Sequence, residues 1–281
     1  MRILNYLQLL LLNPTIFILK ARGRFLLRTV SSPEGVVRIN IGGHIIDASP
    51  SRNDWYKSMY LRCCCVEIAQ NINKYLSKAG IFIDVGAGAG YFSALASNIV
   101  GESGQVHCFE PHPGNARAIE MMVKNNPKSN ITPNSYALGA DECDRNYYIQ
   151  MSERSTANSM VKGVLDRVDD VVNVTTRRLD AYLAEKEINT VSLIKIDVEG
   201  YEYFVLKGLS GFFERTVRKP PIICEIFTSV YKNNDFAIDD LINYMADYGY
   251  HAYNIYNHRK KVDLRLLQET SDVLFIADNF A

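Results

Sequence analysis

The sequence predicts an α/β protein built on a doubly wound, mostly parallel sheet of seven strands with an antiparallel C-terminal strand. From residue 81 onward, short apolar runs typical of buried strands alternate with amphipathic helical segments. A glycine-rich stretch, IDVGAGAGYF (83–92), lies at the first strand-to-helix turn of this alternation. No repeat or low-complexity linker divides the chain. We therefore predict an N-terminal extension over residues 1–54 and one catalytic-type domain over residues 55–281.

The individual elements follow from periodicity. Two β-like runs around a Gly-Gly pair, VVRINIGGHIIDAS (36–49), are typical of a hairpin. Apolar residues recur at helical spacing from Trp55 to Lys78 and predict a helix. Residues 141–176 are polar, and we expect an irregular segment with short β-like pieces, NYYIQM and VVNVTT. Further strands are expected at 81–86, 105–111, 135–140, 191–197, 220–227, 250–256 and 271–278, and helices at 91–100, 115–126, 178–186, 202–209 and 235–249.

Composition and charge narrow the classes of function. Apolar residues make up 47% of the 281-residue chain and charged residues 22%, which suits a globular protein with a sizeable core. The 31 basic residues are balanced by 31 acidic ones, so no overall positive field points to nucleic acid. The six cysteines form no CxxC pair. This favours free thiols in a reducing compartment, the cytoplasm, over a zinc site or a disulfide framework.

The N-terminal segment is apolar over ILNYLQLLLLNPTIFILK (3–20) and basic over KARGRFLLR (20–28). The apolar stretch is shorter than the roughly 20 residues that span a membrane, and Pro14 is expected to break or kink a helix. Three interpretations stay open. The segment is a helical hairpin packed on the domain, a peripheral membrane contact through residues 3–28, or a true anchor.

The glycine-rich turn has the composition of a cofactor loop. Gly86, Gly88 and Gly90 allow a tight turn and a close approach of a ligand to the backbone. The helix that follows directs its free N–H groups at that ligand. Glu110 ends the next strand, where a doubly wound fold places the acid that binds a ribose diol. A dinucleotide fingerprint, G-x-G-x-x-G, needs its third glycine where this chain has Tyr91.

The G-x-G-x-G turn, with Asp84 in the strand before it, resembles that of class I S-adenosylmethionine (SAM)-dependent methyltransferases. Over residues 55–278 the chain also resembles the FkbM-type methyltransferase family. KIDVEG followed by VLKG is the most specific part of this resemblance. One departure is Gly88, where many family members carry Asn, so the loop lacks an amide side chain. The matching segments occur in order: FIDVGAGAGYFSALAS, VHCFEPHP, SYALGA, TTRRLDAYL, VSLIKIDVEGYEYFVLKGL and PPIICEIF.

The resemblance implies a class I methyltransferase fold, SAM as cofactor and S-adenosylhomocysteine (SAH) as product. Asp84 would face the methionine amino group, and Glu110 would accept both ribose hydroxyls. Ala137 and Leu138 would flank the adenine. The implied cofactor-binding residues are Asp84, Gly86, Ala87, Gly88, Gly90, Tyr91, Glu110, Pro111, Ala137 and Leu138.

The stretch VSLIKIDVEG (191–200) carries Lys195, Asp197 and Glu199 on an otherwise apolar strand. Alternating side chains place all three on one face near the strand's carboxyl end, where ligands bind in a doubly wound sheet. Methyl transfer to a hydroxyl needs an aligned oxygen and a group that takes its proton. We predict Asp197 as the first candidate for that group and Glu199 as the second. Lys195 is expected to pair with one of them or with Glu225.

Other interpretations of these residues stay open. Either acid of KIDVEG could only cap the helix that follows. Together with Glu225 they could offer oxygens to Mg²⁺, but three acids at adjacent strand ends are weak evidence, and we predict no metal. His112 is an alternative base. In SERSTANSM (152–160), Ser155, Asn158 and Ser159 are candidates for contacting a hydroxylated acceptor, unless this segment is only a solvated loop.

We therefore expect SAM-dependent O-methylation of a hydroxyl on a sugar, glycan or natural product. The expected partner is a small-molecule or glycan acceptor and not a nucleic acid. Two alternatives from other classes are a nicotinamide-dependent oxidoreductase and a non-catalytic scaffold that keeps the fold. Binding of NADH without binding of SAH would favour the oxidoreductase.

Overall fold

The computed structural model describes residues 13–51, 54–150, 158–233, 236–278 and 280. The strands are β1 (Val37–Ile41), β2 (His44–Ala48), β3 (Ile81–Val85), β4 (Gln105–Phe109), β5 (Ile131–Asn134), β6 (Ala137–Leu138), β7 (Cys143–Ile149), β8 (Asn158–Ser159), β9 (Asp170–Arg177), β10 (Leu193–Ile196), β11 (Ile222–Ile226), β12 (Tyr250–Asn254), β13 (Asn257–Lys261) and β14 (Ser271–Ala277). The helices are α1 (Pro14–Thr29), α2 (Asp54–Tyr60), α3 (Val66–Tyr75), α4 (Tyr91–Val100), α5 (Pro113–Lys124), α6 (Leu179–Glu185), α7 (Glu202–Lys207), α8 (Ser210–Arg215), α9 (Val230–Asn233) and α10 (Ile238–Asp247), with a 3₁₀ turn at Leu264–Leu266.

The central sheet has the strand order β13-β12-β14-β11-β10-β3-β4-β5. Strands β11, β10, β3, β4 and β5 run parallel, and β14, β12 and β13 each pair antiparallel with their neighbours. The doubly wound α/β class is confirmed, but the sheet has eight strands where seven were predicted. The additional strand, β13, forms because the chain reverses after Asn254. The side chain of Asn254 accepts hydrogen bonds from the backbone N–H groups of Tyr256 and Asn257.

The third parallel strand lies earlier than predicted. We expected it at 135–140, but β5 (Ile131–Asn134) occupies that place beside β4. Pro133 within β5 has no N–H to donate, and it is tolerated because β5 is the edge strand of the sheet. Ala137 and Leu138 form β6 instead, which pairs with β9 in a second sheet.

The prediction of an irregular segment over residues 141–176 is wrong. This region supplies most of a four-stranded sheet with the order β6-β9-β7-β8. The β-like pieces seen in the sequence belong to β7 and β9, which pair antiparallel along their whole length. Tyr147, Ile149 and Val174 bury their side chains in a small core of their own with Ala137. This second sheet stands beside the carboxyl ends of the parallel strands and supplies part of the cavity wall.

The predicted helix from Trp55 to Lys78 is two helices, α2 and α3. Arg62 and Cys65 between them have φ angles of 54° and 37°. Such left-handed residues end a helix and turn the chain. The inward face was nevertheless predicted correctly, since the side chains of Met59 and Ile72 are fully buried.

The described part of the N-terminal segment, α1, packs on the domain. Pro14 begins α1 and does not break it, because proline at a helix's first position sacrifices no intrahelical hydrogen bond. The hairpin residues Ile39 and Ile46 share a hydrophobic core with Phe82 of β3. Within the described ranges, no helix has both the length and the apolar character needed to cross a membrane. Residues 3–12 lie outside the described residues, and the boundary at residue 54 stays a prediction.

Candidate active site

A cavity of about 250 Å³ lies at the carboxyl ends of β3, β4 and β10. The glycine loop after β3 forms one part of its wall, and the KIDVEG turn after β10 forms another. Residues from β6 and from α2 complete the enclosure. This is the crevice in which a doubly wound sheet binds its ligands.

The three glycines of the loop serve different purposes. Gly86 has a φ of 74°, and a Cβ there would lie 1.8 Å from the backbone oxygen of Asp197, so the loop packs directly on the KIDVEG turn. Gly88 has a φ of 57° and lines the cavity, and a Cβ there would meet no atom within 4 Å. Gly90 faces α5, because its Cβ would lie 3.0 Å from Met122. Gly88 is thus the glycine that leaves room for a ligand.

Glu110 follows β4 and is only 4% exposed. Its Oε2 accepts a 2.7 Å hydrogen bond from the N–H of Gly88, and its Oε1 accepts a 2.8 Å bond from the N–H of His112. Burial raises the pKa of Glu110 to about 7, although these two N–H donors act to lower it. The carboxylate is therefore fixed in orientation at the cavity wall, next to the glycine loop.

Lys195 is 2% exposed, and its charge is held by two carboxylates. Its Nζ lies 3.2 Å from Oδ2 of Asp197 and 3.6 Å from Oδ1 of Asp84. The same nitrogen stands 5.2 Å from the ring centroid of Phe92. Burial acts to lower the pKa of Lys195, but Asp197 and Asp84 outweigh it and raise the pKa. A cation is therefore fixed between the glycine-loop strand and the KIDVEG turn.

Asp84 lies behind the cavity and is not part of its wall. Its side chain is fully buried, accepts a 2.6 Å hydrogen bond from the hydroxyl of Ser93 and pairs with Lys195. Burial raises the pKa of Asp84, while Lys195 and Ser93 oppose the shift. The structure thus gives Asp84 a role in holding Lys195. Contact between Asp84 and the methionine amino group stays a prediction.

Asp197, Glu199 and Glu225 bring three carboxylates together, with oxygens that all lie within 4.8 Å of one another. The strand β10 ends at Ile196, so simple alternation does not extend to these acids. Glu199 has a φ of 51°, and this left-handed turn aims its side chain into the cavity. Three oxygen donors at this spacing also suit a divalent cation. The expectation that no metal binds here stays a prediction.

Two acids of this cluster, Glu225 and Glu199, have raised pKa values, and so does the neighbouring Asp272. Burial, with Asp197 and Glu199 as neighbouring like charges, raises the pKa of Glu225 to about 11. Burial and Asp197 raise the pKa of Glu199 to about 7. Asp272 stands opposite Glu225 in β14, and burial raises its pKa to about 7. A cavity lined by one fixed cation and by carboxyl groups with raised pKa values is typical of a functional site.

Residues 84–252, more than half of the chain, match the Methyltransferase FkbM domain. The chain belongs to the FkbM methyltransferase family. A curated relative from Sulfolobus acidocaldarius, "Probable cobalt-precorrin-6B C(15)-methyltransferase (decarboxylating)", is 29% identical over 158 residues. That match covers 48% of this chain and 74% of the relative. The family assignment favours methyltransferase activity over the oxidoreductase alternative.

Among solved structures, this chain is similar to several methyltransferases. The FkbM methyltransferase of Methylobacillus flagellatus KT is 16% identical, with a TM-score of 0.43, 81% of this chain covered and 56% of that chain. TYW2 of M. jannaschii, solved in complex with AdoMet, is 14% identical, with a TM-score of 0.43, 88% of this chain covered and 87% of that chain.

The cofactor of this methyltransferase is SAM, and the cavity fits it. The open space over Gly88 is a cradle that a side chain would fill. The oriented carboxylate of Glu110 suits a pair of ribose hydroxyls. Ala137 and Leu138 offer a small apolar surface for the adenine. When bound, SAM supplies an electrophilic methyl group on a cationic sulfur.

Most residues predicted for the site lie together in this cavity. Tyr91 is an exception: its ring is 8% exposed and packs edge-on against Trp55, with centroids 6.4 Å apart. Asp84 and Gly90 are the other two predicted residues outside the wall. The predicted residues in the wall are Gly86, Ala87, Gly88, Glu110, Pro111, Ala137, Leu138, Lys195, Asp197, Glu199 and Glu225.

Of the described residues that were predicted to contact an acceptor or to act as an alternative base, one lines the cavity. Asn158 lines the cavity. Ser159 is fully buried and donates a 2.6 Å hydrogen bond to the backbone oxygen of Glu199, so it supports the KIDVEG turn. Ser155 lies outside the described residues. His112 is not in the cavity wall. It caps α5 by accepting a 3.3 Å hydrogen bond from the N–H of Asn115.

Several wall residues were not foreseen. Trp55, Tyr56 and Cys65 come from α2 and the turn before α3, and Tyr136 and Tyr147 come from the second-sheet region. Aromatic residues at helical spacing look the same in sequence whether they face a core or a cavity. Only the break between α2 and α3 could have signalled that this segment turns toward the site.

Proposed function

We propose that this protein methylates a hydroxyl oxygen of a sugar, glycan or natural product with SAM as donor. One observation carries the proposal. The carboxylate of Asp197 lines the same cavity as the glycine loop and is held in place by Lys195 at 3.2 Å. A fixed carboxylate beside the cofactor loop can orient a hydroxyl and accept its proton.

The chemistry required of the protein is modest. The hydroxyl of the acceptor becomes a better nucleophile as its proton moves to a carboxylate oxygen of Asp197. Lys195 limits the rotation of that carboxylate through the ion pair. A positioned base of this kind contributes about 10²–10⁴-fold to the rate.

Glu199 is the second candidate for the proton acceptor. Its carboxyl group faces the same cavity, and its pKa, raised to about 7 by burial and Asp197, suits a base that works near neutral pH. A base role for Glu199 predicts that kcat, measured at saturating SAM, rises with pH up to about 7.

A hydroxylated acceptor of small size is supported by the wall around these acids. Trp55 and Tyr56 offer aromatic surface and Asn158 an amide that can bond to hydroxyls. Sugars present both apolar C–H faces and hydroxyl groups. The balance of 31 basic and 31 acidic residues gives no support to a nucleic-acid acceptor.

The test is a panel of sugar, glycan and natural-product hydroxyls, with SAH formation as the signal and NMR of the product to locate the methyl group. We expect a methyl ether. Asp197→Asn is expected to retain SAH binding and lose about 10²–10⁴-fold in kcat, whereas Asp247→Asn, an exposed control, retains both. A methyl group on carbon or nitrogen, or full turnover by Asp197→Asn, would refute the corresponding part of the proposal.

A further inference from the structure

One face of helix α1 packs against the domain. Ile16 is 1% exposed. Gly23 packs closely on the turn between α2 and α3, because a Cβ at Gly23 would lie 2.9 Å from Cβ of Cys63. Lys20 also points inward, with its Nζ 2.6 Å from Glu67 and 2.9 Å from the hydroxyl of Tyr256. These contacts fix the helix and its rotation about its own axis.

The opposite face of α1 carries large apolar side chains in water. Ile18 is 63% exposed and Phe25 is 65% exposed. The two are seven residues apart, so they lie on the same side of the helix. Arg22 and Arg28 are exposed on this side too. We call these four residues, Ile18, Arg22, Phe25 and Arg28, the outer face of α1.

The charge around this face has one sign. Residues 1–33 contain no carboxylate, and the first acidic residue of the chain is Glu34. The basic residues in that range are Arg2, Lys20, Arg22, Arg24 and Arg28. Glu67 pairs with Lys20, whereas no carboxylate among the described residues forms an ion pair with Arg22 or Arg28, so the outer face presents a positive potential. An apolar stripe flanked by arginines is complementary to a surface that is anionic outside and apolar beneath.

We propose that the outer face of α1 binds the surface of an anionic lipid bilayer. Ile18 and Phe25 enter the boundary between headgroups and acyl chains, and Arg22 and Arg28 bind lipid phosphates. Residues 3–12 continue the apolar character along the chain, with Leu and Ile at seven of these ten positions. The helix lies on the bilayer and does not cross it.

This contact would place a membrane beside the active-site wall. The Nζ of Lys57 in α2 donates a 2.7 Å hydrogen bond to the backbone oxygen of Leu27 in α1. The same helix α2 supplies Trp55 and Tyr56 to the cavity. A bilayer on the outer face of α1 therefore lies one helix away from the cavity, where a membrane-carried acceptor could be presented.

The experiment is co-sedimentation of the full chain with vesicles of phosphatidylcholine alone and with vesicles that also contain phosphatidylglycerol. We expect binding to the anionic vesicles, weakened by added salt. Each interfacial basic residue contributes about 1 kcal/mol, so Arg22→Glu/Arg28→Glu should lower the partition coefficient by at least about tenfold. Phe25→Ser should also lower it.

Matched controls come from the exposed side of α5. Arg117→Glu/Lys124→Glu reverses two exposed helical cations, and Met121→Ser removes a side chain that is 46% exposed. Both control variants are expected to bind vesicles as the unchanged protein does, and SAH titration verifies that every variant is folded.

Four outcomes would overturn the proposal. The first is no preference for anionic vesicles, and the second is equal losses in the α1 and α5 variants. The third is a lower melting temperature for Phe25→Ser with unchanged vesicle binding, which would mean that residues 1–12 cover the face. The fourth is a Phe25-dependent doubling of mass in light scattering without lipid, which would mean that a second copy covers it.

Discussion

The ammonium nitrogen of Lys195 lies 3.2 Å from a carboxylate oxygen of Asp197, where β10 ends and the cavity begins. A lysine in the middle of a core strand would be costly if unpaired. Here Asp84, from the neighbouring strand β3, completes the pairing from the other side. Lys195 thus ties Asp84 of the glycine-loop strand to the candidate base Asp197.

Removing the ammonium group of Lys195 should lower the stability of the protein. Lys195→Met is expected to destabilise the protein by about 3 kcal/mol, because Asp84 is left fully buried without its cation. Adding Asp84→Asn to that variant should recover part of the loss, since no charge then remains behind the loop. Urea unfolding of the single and double variants measures both effects. If Lys195→Met and Lys195→Met/Asp84→Asn are equally stable, the unpaired charge of Asp84 is not the cause of the loss in stability.

Two glycines two positions apart should respond differently to the same substitution. Gly86→Ala is expected to cost about 3 kcal/mol or more, because its Cβ would collide with the backbone of Asp197. Gly88→Ala should cost only about 1–2 kcal/mol, the strain of a left-handed alanine, since its Cβ meets no protein atom.

The two readouts separate folding from cofactor binding at this loop. Thermal unfolding should show Gly88→Ala folded, while SAH titration shows affinity reduced by at least about tenfold. Full SAH affinity in Gly88→Ala would show that the cofactor leaves room for a side chain at this position, as the Asn of many family members suggests.

The site was predictable where it depends on sheet topology. The carboxyl ends of parallel strands meet at one edge, so Glu110, Lys195, Asp197 and Glu225 had to converge once their strands were recognised. Ala137 and Leu138 were placed at the cofactor by the family resemblance, and they line the cavity although they belong to a different sheet from the one expected.

What was missed depends on contacts that periodicity does not encode. Asp272 stands opposite Glu225 only through the antiparallel register of β14 with β11. Register of this kind is set by side-chain packing and turns far apart in the sequence. The helix break before Cys65 was missed because left-handed residues other than glycine leave little trace in sequence. The second sheet was missed because its strands are half polar.

Binding of SAH should depend on pH through Glu110. Burial raises the pKa of this carboxyl group to about 7, and accepting two ribose hydroxyls requires the ionised form. We therefore expect affinity to fall by about tenfold for each pH unit below 7 and to level off above it. Calorimetric titration across this range measures the effect.

A variant isolates the group responsible. Glu110→Gln should bind SAH weakly and with little pH dependence, while Glu102→Gln, an exposed control, should follow the unchanged protein. A flat pH profile in the unchanged protein would mean that Glu110 does not hold the ribose through its ionised form.

Glu202 should make the protein less stable as pH rises. Its side chain is fully buried, its Oε1 accepts a 2.7 Å hydrogen bond from the N–H of Gly200, and its Oε2 has no partner among the described residues. Burial raises its pKa from 4.5 to about 8. Because the folded-state pKa is the higher one, the stabilisation is complete below about 4.5 and is lost as pH rises through about 8.

Glu202→Gln should remove this loss, since the amide keeps the acceptor for Gly200 and never ionises. At about 1.4 kcal/mol per pKa unit, the variant should gain up to roughly 4 kcal/mol on the unchanged protein between pH 5 and pH 9. Glu269→Gln, on the surface, should show no such gain. Urea unfolding at several pH values measures the difference. Parallel pH profiles for the unchanged protein and Glu202→Gln would show that Glu202 ionises in the folded state at no cost.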